Sequence, residues 1–319
     1  MIRSVFIGSS EYGLPALQLM CRNNLKPILV ISQPNKPAGR NLRELATPIS
    51  LHAILNGLPL LTPQDINSPE SIAAIMDLAP DIIITASYGG MIGKKLRFAA
   101  PGGAINLHPS LLPKYRGASP INSALLNGEK VTGTSIYRLI AALDAGPIIA
   151  QAELPILAGE NYSCLHIRLA DQAAGMLLDL LNSNFSQNGS ISQTRFPESP
   201  QDHEKATWCP KIDSSLCNIS WHNPAEAVYN KIRAFSCDPG AWVYFRNMKL
   251  KILTAELTDD KPEGAVGTIA RIVKNLGFTV NCSDYQLLVT KVQAAGKKIM
   301  DAGSYTNGAR VSSGEKLWM

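Results

Sequence analysis

The chain has 319 residues, a formal net charge of +5, 45% hydrophobic residues and 17% charged residues. These proportions exclude an intrinsically disordered chain, and the length predicts two domains, each with its own core. No apolar stretch approaches the roughly 20 residues that span a bilayer, and MIRSVFIGSS turns polar too early for a signal peptide, so we expect a cytosolic protein.

The first half of the chain alternates short apolar runs with helical stretches. Strands are predicted at 4–7, 27–32, 60–62, 81–86 and 104–107. These runs are continuously apolar rather than alternating, which is typical of a parallel sheet covered on both faces. The pattern predicts a doubly wound α/β domain with a mostly parallel sheet, whose ligands lie beyond the carboxyl ends of the strands.

The composition changes after residue 183. Residues 184–210 are rich in Ser, Asn, Gln and Pro, which predicts a linker. Beyond the linker, a helix is predicted at 224–234 and strands at 242–245, 249–255, 267–273, 278–282 and 286–292. Short strands separated by turns indicate a small β-barrel of the OB-like type. The predicted domains are therefore 1–183 and 211–319, joined by the linker 184–210.

The surplus of positive charge lies in the last third of the chain. Residues 1–204 contain 15 Lys and Arg and 15 Asp and Glu, whereas residues 205–319 contain 15 and 10. A separate basic domain indicates an anionic partner, with nucleic acid first, although an ordinary fluctuation of surface charge explains the difference equally well.

The six cysteines are scattered, without a CxxC pair. Cys209 and Cys217 have His203 and His222 nearby, but no closed set of four ligands with zinc-finger spacing is present. We therefore expect reduced cysteines and no metal.

The densest group of polar residues follows the fifth predicted strand, in the run NLHPSLLP. Asn106 and His108 are two residues apart at the strand's end, so their side chains leave the same face of the sheet. The loop behind them is stiffened by proline at both ends, and its exposed backbone groups can hydrogen-bond a flat heterocycle. Downstream, Asp144 places a carboxylate in the turn LDAGP.

The run NLHPSLLPKYRGASPI, with the later LDAG, resembles the signature of the folate-dependent formyltransferases. The resemblance implies catalytic roles for Asn106, His108 and Asp144 and a formyl donor, 10-formyltetrahydrofolate, used without metal. It also implies a folate site at Ser110, Leu111, Leu112 and Pro113, with Tyr88 and Gly89 from the segment ASYG. The sequence departs from the family pattern at Ile140 and Ala142, where an acidic residue and a glycine are usual.

Within the family, the layout of the chain is most similar to that of the members that formylate methionyl initiator tRNA. QPNKPAGR resembles their loop that grips the tRNA acceptor end, and ATWCPKI and AGKK resemble segments before and within their C-terminal barrel. The resemblance implies tRNA as partner, with phosphate contacts from these side chains: Lys36, Arg40, Arg43, Lys211, Lys297 and Lys298.

Formyl transfer to an amine needs donors for an oxyanion and a group that accepts the amine's proton. Asn106 and a protonated His108 are expected to donate, and His108 or a water held by Asp144 to accept. Arg116 is either an ordinary loop residue or a guide for an anionic substrate. Two alternative functions are a formyltransferase acting on a sugar-nucleotide amine and a non-catalytic RNA-binding protein. A monomer is the default expectation.

Overall fold

The computed structural model describes residues 2–38, 43–184, 196–236 and 238–318. In chain order, the helices are α1 Leu14–Arg22, α2 Pro48–Leu55, α3 Pro69–Met76, α4 Lys94–Arg97, α5 Pro120–Leu126, α6 Tyr162–Asn184, α7 Ala225–Ala234 and α8 Ala302–Ala309. Two short 3₁₀ turns cover Glu11–Gly13 and His203–Lys205.

The strands, also in chain order, fall into an N-terminal and a C-terminal set. The first set is β1 Ser4–Gly8, β2 Leu29–Ile31, β3 Lys36–Ala38, β4 Arg43–Leu45, β5 Leu60–Leu61, β6 Ile82–Ala86, β7 Ala104–His108, β8 Arg116–Gly117, β9 Val131–Arg138, β10 Ile148–Pro155 and β11 Trp208–Cys209. The second set is β12 Ala241–Phe245, β13 Met248–Leu257, β14 Ile269–Val273, β15 Gly277–Asn281, β16 Gln286–Ala294, β17 Met300–Asp301 and β18 Leu317–Trp318.

The chain forms two compact units. The first contains Met1–Gly117, Val131–Pro155 and His166–Trp208, and the second contains Ala118–Lys130, Ile156–Leu165 and Cys209–Met319. The described part of the predicted linker, up to residue 208, thus belongs to the first unit. The boundaries predicted at 183/184 and 210/211 stay predictions.

The first unit is built on a seven-stranded sheet with the order β10-β9-β7-β6-β1-β2-β5. The strands from β7 to β5 are parallel, whereas β9 and β10 run antiparallel to their neighbours. β1 and β6 are buried along their whole length, as a sheet covered on both faces requires. The predicted doubly wound α/β fold is confirmed.

The order of the strands in this sheet indicates a ligand site at the carboxyl ends of β1, β6 and β7. After β1 the chain adds β2 and β5 on one side and then β6, β7, β9 and β10 on the other. The connections therefore diverge between β1 and β6, which is where open α/β sheets form a crevice at the carboxyl ends of their strands. β7 ends at His108, beside this point.

The second unit is an antiparallel sheet with the order β14-β15-β16-β13-β12-β18, to which β17 adds on β16. A bridge between Thr268 and Lys316 joins the residues next to its two end strands, so the sheet curls toward closure. Its inner face packs with α7 around a core that includes Val228, Ile232 and Phe235. This agrees with the predicted small barrel-like domain.

Several elements were not predicted from the sequence. These are the antiparallel pair β9 and β10, the β3–β4 hairpin, the 23-residue helix α6, and α8 with β18. Within the described part of the chain, no helix combines the length and the apolar character needed to cross a membrane.

Candidate active site

Asn106 and His108 lie on one face of β7, at its carboxyl end. The antiparallel neighbour β9 places Tyr137 opposite Asn106 and Ser135 opposite His108. Directly opposed residues of an antiparallel pair have adjacent side chains. The strand register therefore gathers an amide, an imidazole and a phenol at one edge of the sheet.

The Asn106 amide is fixed from both ends. Its Oδ1 accepts a hydrogen bond from Thr85 Oγ1 at 2.6 Å, and its Nδ2 donates to the Tyr137 hydroxyl oxygen at 3.2 Å. The Tyr137 hydroxyl gives its one hydrogen to Asp144, so its oxygen can only accept from the amide nitrogen, and this sets the orientation of the amide. Nitrogen is thus the end that faces Tyr137.

Asp144 follows β9 in a tight turn and is buried, with 7% of its surface exposed. Its Oδ1 accepts a hydrogen bond from the Tyr137 hydroxyl at 2.6 Å, and its Oδ2 accepts one from the Gly117 backbone N–H at 2.7 Å. Its backbone has a φ of 49°, in the left-handed region, which is uncommon outside glycine although aspartate adopts it more readily than most residues. Such a conformation persists only where the surroundings hold it.

Gln201 holds this turn in place. Its Nε2 donates to the carbonyl oxygens of Asp144 at 2.9 Å and of Gly146 at 2.7 Å. At Gly146 an added Cβ would lie 1.8 Å from the Arg138 carbonyl oxygen, so only glycine fits where the turn passes over β9. The turn is therefore built for one position of the Asp144 carboxylate.

His108 lies next to Asp144, and 4% of its surface is exposed. Its Nδ1 is 3.8 Å from Asp144 Oδ2, and its Nε2 is 3.0 Å from the Tyr115 carbonyl oxygen. A carbonyl oxygen only accepts, so Nε2 carries a hydrogen and, in the neutral ring, Nδ1 carries the lone pair.

The environment of His108 favours the neutral ring. Burial lowers the pKa of His108 below its usual value, and the Asp144 carboxylate and the hydrogen bond to Tyr115 offset only part of that effect. The resting form is then a neutral imidazole whose Nδ1 can accept a proton. The sequence-based expectation invoked a protonated His108 as a donor, which is not the form that burial favours.

Tyr137 joins the three predicted residues into one network and was missed from the sequence. It is 1% exposed, bonds to Asn106 and Asp144, and its ring lies edge-on to that of His108 at a centroid distance of 6.3 Å. Burial and the Asp144 carboxylate raise the pKa of the Tyr137 hydroxyl well above its usual value, so it stays a donor. Only the register of β7 against β9 could have revealed it.

Arg116 is buried rather than turned toward solvent, with 4% of its surface exposed. Its Nε and Nη2 donate to Gln201 Oε1 at 3.1 and 2.7 Å, and Nη2 lies 3.0 Å from His203 Nδ1. Because Gln201 in turn holds the Asp144 turn, Arg116 acts as a structural anchor for it. The sequence left two interpretations of Arg116 open, an ordinary loop residue and a guide for an anionic substrate. The burial of its guanidinium favours neither of them. Gln201 lay in the predicted linker and was missed.

The loop predicted to contact folate is tied to the first unit through its backbone. The Leu112 N–H donates to Ser135 Oγ at 3.1 Å, and its carbonyl accepts from Gln151 Nε2 at 3.0 Å. Ser135 Oγ also donates to the Ser110 carbonyl at 2.7 Å. Ser110 and Leu112 are buried, whereas Leu111 and Pro113 are half-buried. These backbone groups thus hold the loop against β9 and β10.

Two further loops border the site with apolar side chains. Tyr88 after β6 is buried and Gly89 is exposed. Ile92 after β6 belongs to an apolar cluster of the first unit, and Leu139 after β9 packs against that cluster. Each carries large exposed apolar residues, namely Met91 on the first and Ile140 and Leu143 on the second. Exposed apolar residues of this kind suit contact with a partly apolar ligand.

The residues predicted to contact tRNA are distributed over both units. Lys36 is exposed on β3, which pairs with β4 in a hairpin. Arg40 lies outside the described residues, and so does the side chain of Arg43. In the second unit, Lys211, Lys297 and Lys298 are all exposed.

The cysteines suspected as ligands have other contacts. Cys209 Sγ accepts from the Ser119 N–H at 3.3 Å, and Cys217 Sγ donates to the Asp213 carbonyl at 3.3 Å. Within the residues that the structure describes, no three His, Cys, Asp or Glu side chains are grouped as they are in metal sites.

Comparison with known proteins adds to this geometry. The family model described as formyl transferase matches residues 3–181, and the model described as formyl transferase, C-terminal domain, matches residues 211–310. A protein named methionyl-tRNA formyltransferase from Moorella thermoacetica is 36% identical over 316 residues, which cover 99% of this chain and 99% of that protein. One of the same name from Thermus thermophilus is 36% identical over 319 residues, with 99% of both chains covered.

Among solved structures, an N-formyltransferase from Helicobacter canadensis in complex with folinic acid and dTDP-3-aminofucose superposes with a TM-score of 0.68. The alignment covers 92% of this chain and 100% of that one at 17% sequence identity. Sequence identity of 17% shows a shared fold and no more. The two relatives named above are instead similar in sequence over 99% of this chain.

Proposed function

The chain belongs to the formyl transferase family, and on that premise we propose that it transfers the formyl group of 10-formyltetrahydrofolate to the free amino group of methionyl initiator tRNA. The observation that carries this proposal is the end-to-end similarity to proteins named methionyl-tRNA formyltransferase, at 36% identity over 99% of the chain. The site supports it because it contains a fixed amide donor, a neutral imidazole and a carboxylate within one network.

Asn106 is the proposed donor for the formyl oxygen. Its Nδ2 carries two hydrogens, and the bond to Tyr137 uses one of them. The second hydrogen can point at an oxygen that gains negative charge during the reaction. Because Thr85 and Tyr137 fix the amide in advance, no reorganisation is needed as that charge develops.

His108 Nδ1 is the proposed proton acceptor for the incoming amine. The ring is neutral because burial lowers its pKa, and its Nε2–H is bonded to the Tyr115 carbonyl. A proton taken up at Nδ1 would face the Asp144 carboxylate, whose Oδ2 is 3.8 Å away. Asp144 therefore stabilises the charged imidazole at the moment it forms.

The residues around this network fit a folate. When bound, 10-formyltetrahydrofolate would supply the formyl carbon; as the bond from that carbon to the folate nitrogen breaks, the proton held by His108 can pass to the leaving nitrogen. Met91, Ile140 and Leu143 are exposed apolar residues, and we include them in the proposal as apolar contacts for the folate ring system. Tyr88, Gly89 and the loop Ser110, Leu111, Leu112 and Pro113 are the further contacts that the family resemblance implies, and they remain part of the proposal.

We also propose that the protein works in the cytoplasm as a monomer. The tRNA contacts in the proposal are Lys36, Arg40 and Arg43 on the first unit and Lys211, Lys297 and Lys298 on the second. All six are basic residues, which is the side-chain type that contacts phosphates, and the four lysines are exposed.

One assay tests the proposed function. The purified protein is incubated with 10-formyltetrahydrofolate and methionyl initiator tRNA, and formyl-methionine is measured after the ester bond is hydrolysed. A parallel reaction contains a sugar-nucleotide amine in place of tRNA. Formylated methionine in the first reaction alone is expected. Turnover of the sugar amine alone would contradict the proposal, and RNA binding without turnover of either amine would favour a non-catalytic protein.

A further inference from the structure

The outer face of the second unit carries aromatic rings among lysines. On β12, Ala241, Val243 and Phe245 point inward and are buried, whereas Trp242 and Tyr244 lie on the outer face. β18 follows the same alternation, with Leu317 buried and Trp318 exposed. On β13, Lys249 and Lys251 lie on the outer face beside buried Leu250 and Ile252. We call the outer set of Trp242, Tyr244, Lys249, Lys251, Lys316 and Trp318 the aromatic–basic face.

The strand register makes this face continuous. Tyr244 is opposite Trp318 on one side and opposite Lys249 on the other. Trp242 is opposite Lys251 in the neighbouring row. Opposed residues in an antiparallel pair have Cβ atoms about 5 Å apart, so these side chains are direct neighbours.

The rings of Tyr244 and Trp318 are exposed to solvent, whereas the ring of Trp242 packs against its neighbours. Tyr244 is 41% exposed and Trp318 is 53% exposed. Trp242 is half-buried, donates from Nε1 to the Ser214 carbonyl at 3.0 Å and meets the Tyr244 ring edge-on at a centroid distance of 5.3 Å. Trp242 thus fixes the position of Tyr244, and the open surface belongs to Tyr244 and Trp318.

A lysine ammonium lies beside the rings at each side of the face. Lys249 Nζ is 3.9 Å from the centroid of the Trp242 ring, and Lys316 Nζ is 4.1 Å from that of Trp318. The turn with Lys297 and Lys298 adjoins the same edge, because the Ala295 N–H donates to the Lys249 carbonyl at 3.1 Å. The face therefore combines flat apolar surface with a surrounding positive charge.

We infer that the aromatic–basic face binds unpaired nucleotides of an RNA, with bases stacked on Tyr244 and Trp318 and phosphates near Lys249, Lys251 and Lys316. The inference deepens the proposed function and rests on its RNA substrate. Proteins that bind single-stranded nucleic acid pair a basic surface with aromatic rings in this way, because every base has a face that can stack.

Charge separates this partner from a protein one. Trp and Tyr are also common at protein–protein interfaces, but lysine is depleted there. Here each open ring has a lysine as its direct neighbour, Lys249 beside Tyr244 and Lys316 beside Trp318. An anionic chain with flat groups is complementary to both features at once.

The test uses the full-length protein and two fluorescent RNA probes of the same 12-nucleotide sequence, one single-stranded and one in a duplex. The variant Y244A/W318A removes both rings, and Y244F/W318F keeps an aromatic ring at both positions. Tyr285→Ala is a matched control, because Lys261 Nζ lies 3.7 Å from that ring on another part of the same unit. Unchanged thermal melting shows that each variant is folded.

We expect Y244A/W318A to bind the single strand roughly tenfold or more weakly than the unchanged protein. Y244F/W318F and Tyr285→Ala should bind it within about twofold of the unchanged protein, and duplex binding should change little in all variants, since paired bases are not available to stack. With charged tRNA as substrate, Y244A/W318A should raise KM and leave kcat unchanged.

Three results would overturn the inference: undiminished single-strand binding by Y244A/W318A, an equal loss in Y244F/W318F, or an equal loss with the duplex probe. Failure of the proposed function appears differently, as absence of formylated tRNA with the unchanged protein. Ring-dependent binding of the single-stranded probe can be measured whether or not formylation is found.

Discussion

The candidate active site of the first unit and the aromatic–basic face of the second use polar residues in opposite ways. Asn106, His108, Asp144 and Tyr137 are buried or half-buried, and each has a fixed partner within the unit. The lysines and open rings of the face are half-buried or exposed and lie on a regular strand surface. Removing one member of a buried network leaves its partners unsatisfied, whereas exposed contacts contribute small and nearly independent amounts. Variants of the two regions should therefore differ in size and in additivity.

The largest effect is expected at His108. His108→Asn removes the proposed proton acceptor, and positioned acid–base groups contribute about 10²- to 10⁴-fold to rate. We expect kcat for tRNA formylation to fall by a factor within that range. KM for tRNA should change little, because the proposed phosphate contacts are made by other residues. Steady-state kinetics at saturating folate would measure it.

The pH profile of the unchanged protein tests the same assignment. A base is active when deprotonated, so activity falls as pH drops through the pKa of the base. Burial lowers the pKa of His108, so the acid limb of kcat/KM should lie below about 6.5, the ordinary histidine value. The substrate's α-amino group, with a pKa of about 8, adds a limb of its own, so the limb of His108 is the one that is lost in His108→Asn. A profile unchanged in that variant would contradict the role.

Asn106 should give the next largest effect. Asn106→Ala removes the proposed donor to the formyl oxygen, and losing one such donor costs about 10²- to 10³-fold in kcat. The amide does not titrate, so the acid limb should stay where it is in the unchanged protein. A kcat near that of the unchanged protein, or a displaced limb, would count against this assignment.

The sequence predicted the parts of the site that are adjacent in the chain. Asn106 and His108 share a short motif, and the continuous apolar runs predicted β1, β6 and β7 and hence the edge on which both residues lie. Tyr137 could not be found in this way, because its place beside Asn106 depends on the register of β9 against β7. Gln201 was missed for a similar reason, since it lies in a polar segment whose composition is that of a linker.

The second unit shows the same limit. The strands β12, β13, β15 and β16 were predicted within a few residues, but β18 was not. Alternation along β12 marks Trp242 and Tyr244 as outer residues, yet nothing local in the sequence shows that Trp318 pairs with Tyr244. Pairing between strands distant in the chain is a tertiary fact that composition and spacing do not carry.

An intermediate effect is expected for Tyr137, and it sharpens the contrast because the residue acts through others. Tyr137→Phe keeps the ring but removes the hydroxyl that bonds to Asp144 and Asn106. A hydrogen bond to a charged group contributes about 1.5–3 kcal/mol to stability. We expect a loss of the same order in stabilisation of the transition state, which corresponds to roughly a 10- to 100-fold fall in kcat. Tyr229→Phe in the second unit is the control.

A positioning role also predicts a displaced acid limb, since a freed Asp144 carboxylate would act more strongly on His108. A normal profile with lower thermal stability would mean that the hydroxyl is only structural.

The smallest effects are expected from the exposed lysines, and their additivity separates the two kinds of region. Lys36 is exposed on the β3–β4 hairpin of the first unit, and Lys297 is exposed in the turn after β16 of the second. Each lysine that meets a phosphate contributes about one unit to the slope of log KM against log salt concentration. Lys36→Ala and Lys297→Ala should therefore each reduce this slope by about one, and the double variant by about two, because contacts that share no partner act independently. Lys26→Ala, which removes another lysine of the first unit, is the control.

A slope that is unchanged in both single variants would remove these lysines from the RNA contact. A loss in the double variant far larger than the sum would show that the exposed lysines are coupled as the buried residues are, and the contrast between the two regions would fail.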